Sequence, residues 1–297
     1  MTLVPRVVVV TRPTAFEELL ARHATRNQAE FFLRQRGQNL AAAEAVHHEV
    51  RGAVAQVQAA IPLDFRRNWV PRDELDRFLF EPEDTIVVVG QDGLVANVAK
   101  YLSGQPVIGV NPTPRLFDGV LVRHTPERAC RLLTAAAHGD VAVQERTMVR
   151  VTLDDGQELC ALNELFLGQR THQSARYEIR RGDETALHSS SGVIVTTGTG
   201  ATGWARSIQL ERRKPVELPK PTQRSLAFFV REAFPSVATS TELTQGTFAA
   251  DEALLVTSRM EQGVIFGDGM EADHLRFEWG VRAEVRVAER ALRLVDG

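Results

Sequence analysis

Residues 86–93 read Ile-Val-Val-Val-Gly-Gln-Asp-Gly, an apolar run that passes straight into a glycine-flanked aspartate. The run has the length of a buried strand, and the stretch Leu94 to Leu102 behind it reads as a helix. Val107-Ile108-Gly109-Val110 supplies a second short apolar run, which makes a β-α-β unit on a buried parallel sheet. Gly90-Gln91-Asp92-Gly93 therefore lies at the carboxyl end of a strand, where open α/β sheets take ligands and where Gly90 and Gly93 let backbone amides approach phosphate oxygens. Two readings of Asp92 stay open on the residues alone. It is an Asp-Gly turn former, or a carboxylate that takes a proton from a hydroxyl or holds Mg²⁺ through a water.

Outward from this unit, Arg6-Val7-Val8-Val9-Val10-Thr11 predicts a strand, and Thr14 a cap for a helix from Phe16 to His23. Between Gln38 and Ile61 the chain has no proline and only Gly52 as a glycine. Leu40, Ala43, Val46, Val50, Val54, Val57 and Ile61 recur there at helical spacing, which predicts a long, surface-lying amphipathic helix. Pro71 before Arg72-Asp73-Glu74-Leu75 fits a further helix start. From about Val141 the texture changes to alternation. Thr147 to Leu153, Glu158 to Leu167 and Arg176 to Arg180 read as antiparallel strands, with Asp154-Asp155-Gly156 and Arg181-Gly182-Asp183 as turns. More strands are expected at Val193 to Thr197, Leu226 to Val230, Ala253 to Val256, Val264 to Phe266, Leu275 to Trp279 and Val281 to Val287, and Glu211 to Thr222 reads as a Pro- and charge-rich loop. The expected architecture is an α/β domain with a parallel sheet over 1–140, carrying the Gly-Gln-Asp-Gly loop. A mostly β domain over 141–275 follows, and strands in 276–297 are expected to return to the first domain.

Composition narrows the classes. The 297 residues are 43% hydrophobic and 25% charged with a formal net charge of -3, a folded chain with no overall field to recruit nucleic acid or a membrane surface. The four-valine run is too short for a signal segment or a membrane span, so a cytoplasmic protein is expected. Cys130 and Cys160 make neither a disulfide framework nor a metal cluster. His47-His48-Glu49 lie on a helix where neighbours point apart, His172 and His188 have no evident partners, and no metal site is expected. Arg212-Arg213-Lys214 reads as a solvated run.

Two further motifs carry chemistry. Thr196 to Gly203 holds three glycines and four threonines in eight residues, exposed amides and hydroxyls that suit a polyphosphate cradle, with a flexible hairpin loop as the plain alternative. Asn163-Glu164 interrupts an apolar stretch, and such a pair, if buried, needs a ligand or a hydrogen-bond network; an exposed bulge is the alternative.

Taken in order, Gly90-Gln91-Asp92-Gly93, Asn163-Glu164 and Thr197-Gly-Thr-Gly200 resemble the motifs of the NAD kinases. Val107-Ile-Gly-Val-Asn111, Glu145-Arg146 and Phe266-Gly-Asp-Gly269 look like further segments of that family. The long helical insertion, Ser190-Ser191-Gly192 and Trp204 look most like its mitochondrial-type branch. The resemblance implies an α/β domain followed by an all-β domain, and transfer of the γ-phosphoryl of ATP, with Mg²⁺, to the 2'-hydroxyl of NAD. It implies Asp92 as base or orienter at that hydroxyl, and Asn163, Glu164 and Ser191 as dinucleotide contacts. Thr202 and Ser207 would lie at the adenosine end, Gly198 to Gly203, with Thr199 and Gly200 among them, would lie against the phosphates, and Trp204 would stack on a base or belong to the core. A homodimer or larger homo-oligomer is implied as well. Gln91 stands for the family's second glycine and would cost about 1–2 kcal/mol of strain if its φ were positive. Leu94 stands for a threonine. Those two departures leave open a non-catalytic nucleotide-binding regulator, and fold analogy alone leaves open a kinase of the same superfamily acting on a lipid or sugar.

Overall fold

The computed structural model describes residues 4–296; Met1 to Leu3, which open the stretch read for a leader, and Gly297 lie outside the described residues. The chain forms two compact units, one ending at Gln144 and taking up the chain again at Arg293, the other running Glu145–Leu292.

The first unit is α/β. Its strands are β1 (Arg6–Thr11), β2 (Arg66–Pro71), β3 (Asp84–Val89) and β4 (Pro106–Val110), and its helices α1 (Ala15–His23), α2 (Arg26–Arg34), α3 (Leu40–Ala60), α4 (Asp92–Ala99) and α5 (Pro126–Ala137). The strands pair in parallel in the order β2-β1-β3-β4, and Arg293 and Leu294 extend the set by pairing in parallel with β4. A parallel sheet is covered on both faces, which is why its strands are unbroken apolar runs: Val7 to Val10 and Ile86 to Val88 are 0% exposed. Val7, Val9, Val87, Val89, Ile108 and Val110 pack against Ala53, Val54 and Val57 of α3 and Ala129, Leu133 and Ala136 of α5. Where β1 and β3 start in register, Arg6 donates Nε and Nη2 to the two oxygens of the buried Asp84, both at 2.6 Å. That bidentate pair is oriented further by the Glu81 amide, which donates to Asp84 Oδ2 at 2.8 Å.

Several elements differ from expectation. Arg66-Arg-Asn-Trp-Val-Pro71 has no apolar alternation, yet β1 takes it as an edge strand, so Pro71 ends a strand and is followed by only a 3₁₀ turn, Arg72–Glu74. The helix after β3 begins at Asp92 itself and ends at Ala99. Helices α2 and α5 went unread. Each starts from a threonine cap, Thr25 or Thr125, and α5 has proline in its first turn.

The second unit is antiparallel and β. It contains β5 (Val143–Leu153), β6 (Glu158–Ala161), β7 (Glu164–Gln169), β8 (Ala175–Arg181), β9 (Glu184–Ser190), β10 (Val193–Thr196), a short α6 (Trp204–Leu210), β11 (Ser225–Val230), β12 (Gln245–Ala249), β13 (Leu254–Ser258), β14 (Gly263–Gly267), β15 (His274–Arg276) and β16 (Arg282–Val295), the start of β5 and the end of β16 belonging to the first unit. One sheet runs β12-β11-β10-β7-β14-β15. Its inward residues Leu165, Leu167, Val193, Val195, Leu226 and Phe228 pack against Tyr177, Ile179, Leu254, Val256, Ala283 and Val285 of β8, β13 and β16. Alternation made β5 and β8 legible, whereas β10 and β11 read as short continuous apolar runs. The expected strand Glu158 to Leu167 is instead broken at Leu162-Asn163, since β6 pairs with β5 while β7 pairs with β10 and β14.

Gly109 shows how tightly the first unit is drawn together at β4. A Cβ there would stand 2.1 Å from the carbonyl oxygen of Leu121, and the His124 amide donates to the Gly109 carbonyl at 3.0 Å. Gly109→Ala is expected to destabilise the protein by about 1–3 kcal/mol through overpacking. A thermal melt checks this, and an unchanged midpoint would contradict it.

Candidate nucleotide site

In the first unit, Asp92 is the first residue of α4 and half-buried. Its Oδ1 accepts the amides of Leu121 and Val122 at 2.7 and 3.0 Å, and its Oδ2 accepts that of Val120 at 2.9 Å. Three consecutive N–H groups thus converge on one carboxylate, in a turn made possible by Gly119, where a Cβ would lie 2.3 Å from the Val122 carbonyl oxygen. A carboxylate oxygen has two acceptor sites. Oδ1 has both filled by these amides, while Oδ2 takes one and keeps one for a ligand. Asp92 is therefore a turn clamp that retains an acceptor, and the two readings of it are compatible.

Its neighbours define the rest of the loop. Gln91 has an extended backbone, φ −107°, and an exposed side chain, so it carries none of the strain a positive φ would have imposed. Leu94 is buried and lies beside Gly90, facing the core. Gly93 is exposed with open space around it.

In the second unit, the break between β6 and β7 forms a corner at Leu162-Asn163-Glu164, and the Thr/Gly loop closes on it. Thr197 Oγ1 donates to the Leu162 carbonyl at 2.6 Å and accepts the amides of Thr199 and Gly200 at 3.1 and 3.4 Å. The Thr197 amide donates to the Asn163 carbonyl at 2.9 Å. Gly200 is required there, because a Cβ would lie 2.4 Å from that same carbonyl oxygen, and Gly198 because a Cβ would lie 2.1 Å from the backbone of Lys220. The loop is thus a built part rather than a flexible hairpin. It ends in the exposed hydroxyls of Thr202 and Ser207 around the half-buried Trp204. Behind it the fully buried Arg146 places Nη1 3.5 Å from Thr199 Oγ1.

The Trp204 ring lies parallel to that of Phe166, centroids 6.1 Å apart, and the Arg231 guanidinium is 5.0 Å from its centre. Phe166, Trp204, Phe266, Arg170, Arg231 and His274 help line a cavity of about 600 Å³. Glu164 and Phe166, two residues apart on β7, lie on the same face of that strand. Ser191 is exposed and is not among the residues that line this cavity. It lies in the β9–β10 turn, at the other end of β10 from the loop, with its amide on the Arg231 carbonyl.

Asp268, Arg146, Phe166 and Arg231 were not picked out as site residues. The one available signal for Asp268 was its Asp-Gly pair at 268–269, and Asp-Gly recurs at 92–93, 118–119, 155–156 and 296–297, so it does not single this aspartate out. His188 does have partners, since its Nε2 donates to the Glu242 carbonyl at 2.8 Å and its ring meets Tyr177 edge-on. His47 bonds Thr14 Oγ1 at 2.8 Å. Among the described residues no group of three or more His, Cys, Asp and Glu could hold a metal ion, and no helix is long and apolar enough to cross a membrane.

Burial first, and the negative charge of Asp268 second, push the Glu164 carboxyl from 4.5 up to about 7. The folded protein keeps this proton where the unfolded chain has lost it. The stability it contributes is therefore complete below about pH 4.5 and disappears as pH rises through 7. Glu164→Gln, neutral throughout, is expected to melt like the wild type at acid pH and above it at about pH 8. A melting difference independent of pH would contradict this.

No family model matches the chain. It is 25% identical over 127 residues to a NAD kinase of Chlorobaculum tepidum, covering 42% of this chain and 44% of that protein. The chain spans about half the length of the curated relatives it matches. In structure it is similar to an NAD kinase from Archaeoglobus fulgidus in complex with ATP, with a TM-score of 0.59 at 19% identity over 98% of this chain and 93% of that one. Yeast NADH kinase complexed with NADH gives a TM-score of 0.61 at 12% identity, over 100% of this chain and 84% of the other. The chain thus has the fold of the NAD kinases and is similar to them in sequence over about half its length.

Proposed function

We propose that the protein is a NAD kinase, transferring the γ-phosphoryl of ATP, brought in as its Mg²⁺ complex, to the 2'-hydroxyl of NAD to give NADP. The observation that carries the reading is the clasp of the Thr197–Gly203 loop on the Asn163 corner, where Gly200 allows the two backbones to meet. It gathers amides, hydroxyls, an amide side chain, a carboxyl and an aromatic ring, the groups a dinucleotide needs.

In this reading the 2'-oxygen attacks the γ-phosphorus, the bond to ADP breaks, and the hydroxyl proton passes to Asp92 Oδ2, the oxygen with acceptor capacity left. Catalysis is then mostly positioning and charge stabilisation. Asn163 and Glu164 hold the dinucleotide, the loop backbone lies along its phosphates, Thr202 and Ser207 face its adenosine end, and Trp204 stacks on a base. Gly90 and Gly93 open the approach to Asp92. Ser191 is left as a contact at the far end of β10.

The alternative of a non-catalytic nucleotide binder loses one support, because Gln91 leaves its loop unstrained. The same reading places the protein in the cytoplasm, as a homodimer or larger homo-oligomer, and with the mitochondrial-type branch. The branch rests on the long α3 and on Ser190-Ser191-Gly192, the rest on the family resemblance.

The test is NADP formation by purified protein with ATP, Mg²⁺ and NAD, with NADH as a second acceptor because one structural neighbour is an NADH kinase. Turnover is expected, and Asp92→Asn is expected to lower kcat by about 10²–10⁴-fold while a melt shows it folded. No turnover with either acceptor would overturn the reading, and an undiminished Asp92→Asn enzyme would reduce Asp92 to a turn clamp.

A further inference from the structure

Asp268 repeats in the second unit what Asp92 does in the first. Its Oδ2 accepts the Leu162 amide at 2.8 Å, and its Oδ1 accepts those of Asn163 and Glu164 at 2.7 and 3.3 Å. Its own amide donates back to the Glu164 carbonyl at 3.1 Å. To do so it adopts φ +53°, a left-handed conformation that side-chain-bearing residues avoid. The corner is therefore held from two sides, its N–H groups by Asp268 and the Leu162 and Asn163 carbonyls by Thr197. With those backbone groups engaged, the side chains of Asn163 and Glu164 are what the corner has left to offer a ligand.

We propose that Asp268 is a positioning residue for the dinucleotide: its carboxylate sets the backbone of Leu162-Asn163-Glu164 and so aims the Asn163 and Glu164 side chains at the ligand. The inference rests on the kinase reading above and assigns a residue which that reading leaves out. It requires that loss of the carboxylate weaken ground-state binding more than turnover, because Asp268 touches neither the transferred phosphoryl nor the attacking hydroxyl.

Two variants of the full-length protein test it. Asp268→Asn keeps the shape but turns a donor toward one or more of the three amides. Asp268→Gly removes the carboxylate while relieving the left-handed backbone, so the hairpin is kept even if the asparagine variant folds poorly. For both, the Kd of NAD by calorimetry and the KM for NAD are expected to rise at least about tenfold, with kcat within about threefold. In ¹⁵N-correlated spectra the Leu162 and Asn163 amide protons are expected to move upfield as their bonds to the carboxylate are lost. Affinity and KM within about twofold of wild type in both variants, or unmoved amide signals, would overturn the proposal while leaving the kinase reading intact. A wild type that binds neither NAD nor NADH would overturn the kinase reading, and this proposal with it.

Discussion

An aspartate carboxylate that captures three consecutive backbone amides is the interaction on which the candidate residues of each unit depend, and the chain uses it once in each. Three N–H groups pointing to one place form a concavity that ordinarily suits an anion. Left unsatisfied when buried, each would cost about 1–3 kcal/mol. Asp92 fills one such concavity at 120–122 and Asp268 another at 162–164. Both supply charge-assisted bonds in place of water, and both are followed by glycine. Gly269 needs that identity for its φ of +68°, whereas Gly93 sits in open space at the start of a helix.

The consequences differ in the two units. At β3 the clamp joins the start of α4 to the segment after β4, and the close approach of Gly109 to Leu121 locks the same segment from the strand side. The outcome is a carboxylate held by its own loop with one acceptor to spare. In the β unit the clamp turns the chain from one sheet to the other between β6 and β7. Thr197 and Gly200 then bring the Thr/Gly loop down onto that turn, while Gly198 admits the backbone of Lys220 on its other side. Glu164 ends up half-buried beside a second carboxylate, and desolvation first and that charge second hold its proton to near neutral pH. A group poised in that way at a turn with its backbone engaged is chemically conspicuous, since structural turns rarely need one.

Much of this was legible because strong patterns have single causes. The valine runs of β1 and β3 read correctly because a strand covered on both faces has no polar alternation, and α3 because its apolar stripe recurs over 21 residues. The three motifs Asp92, Asn163-Glu164 and Thr197–Gly203 were picked out for the residue types that phosphate and nucleotide chemistry needs. Other parts were hidden for physical reasons. Arg66–Pro71 becomes a strand through its neighbour β1 rather than its own composition, a tertiary override of local preference. The break at Leu162-Asn163 lies inside an apolar run, and the group that shapes it is Asp268, 104–106 residues away. Asp92 finds its amides 28–30 residues on. Local spacing shows that an aspartate is available, but not which amides it will find.

The central claim is that the Asn163 corner and the Thr/Gly loop form one nucleotide site. Hydrogen–deuterium exchange measured by mass spectrometry, with and without NAD, tests it most directly. Slower exchange is expected in peptides covering 160–166 and 196–207, with α3 unchanged as an internal control. Unaltered exchange in both segments at saturating NAD, or protection confined to other parts of the chain, would contradict it.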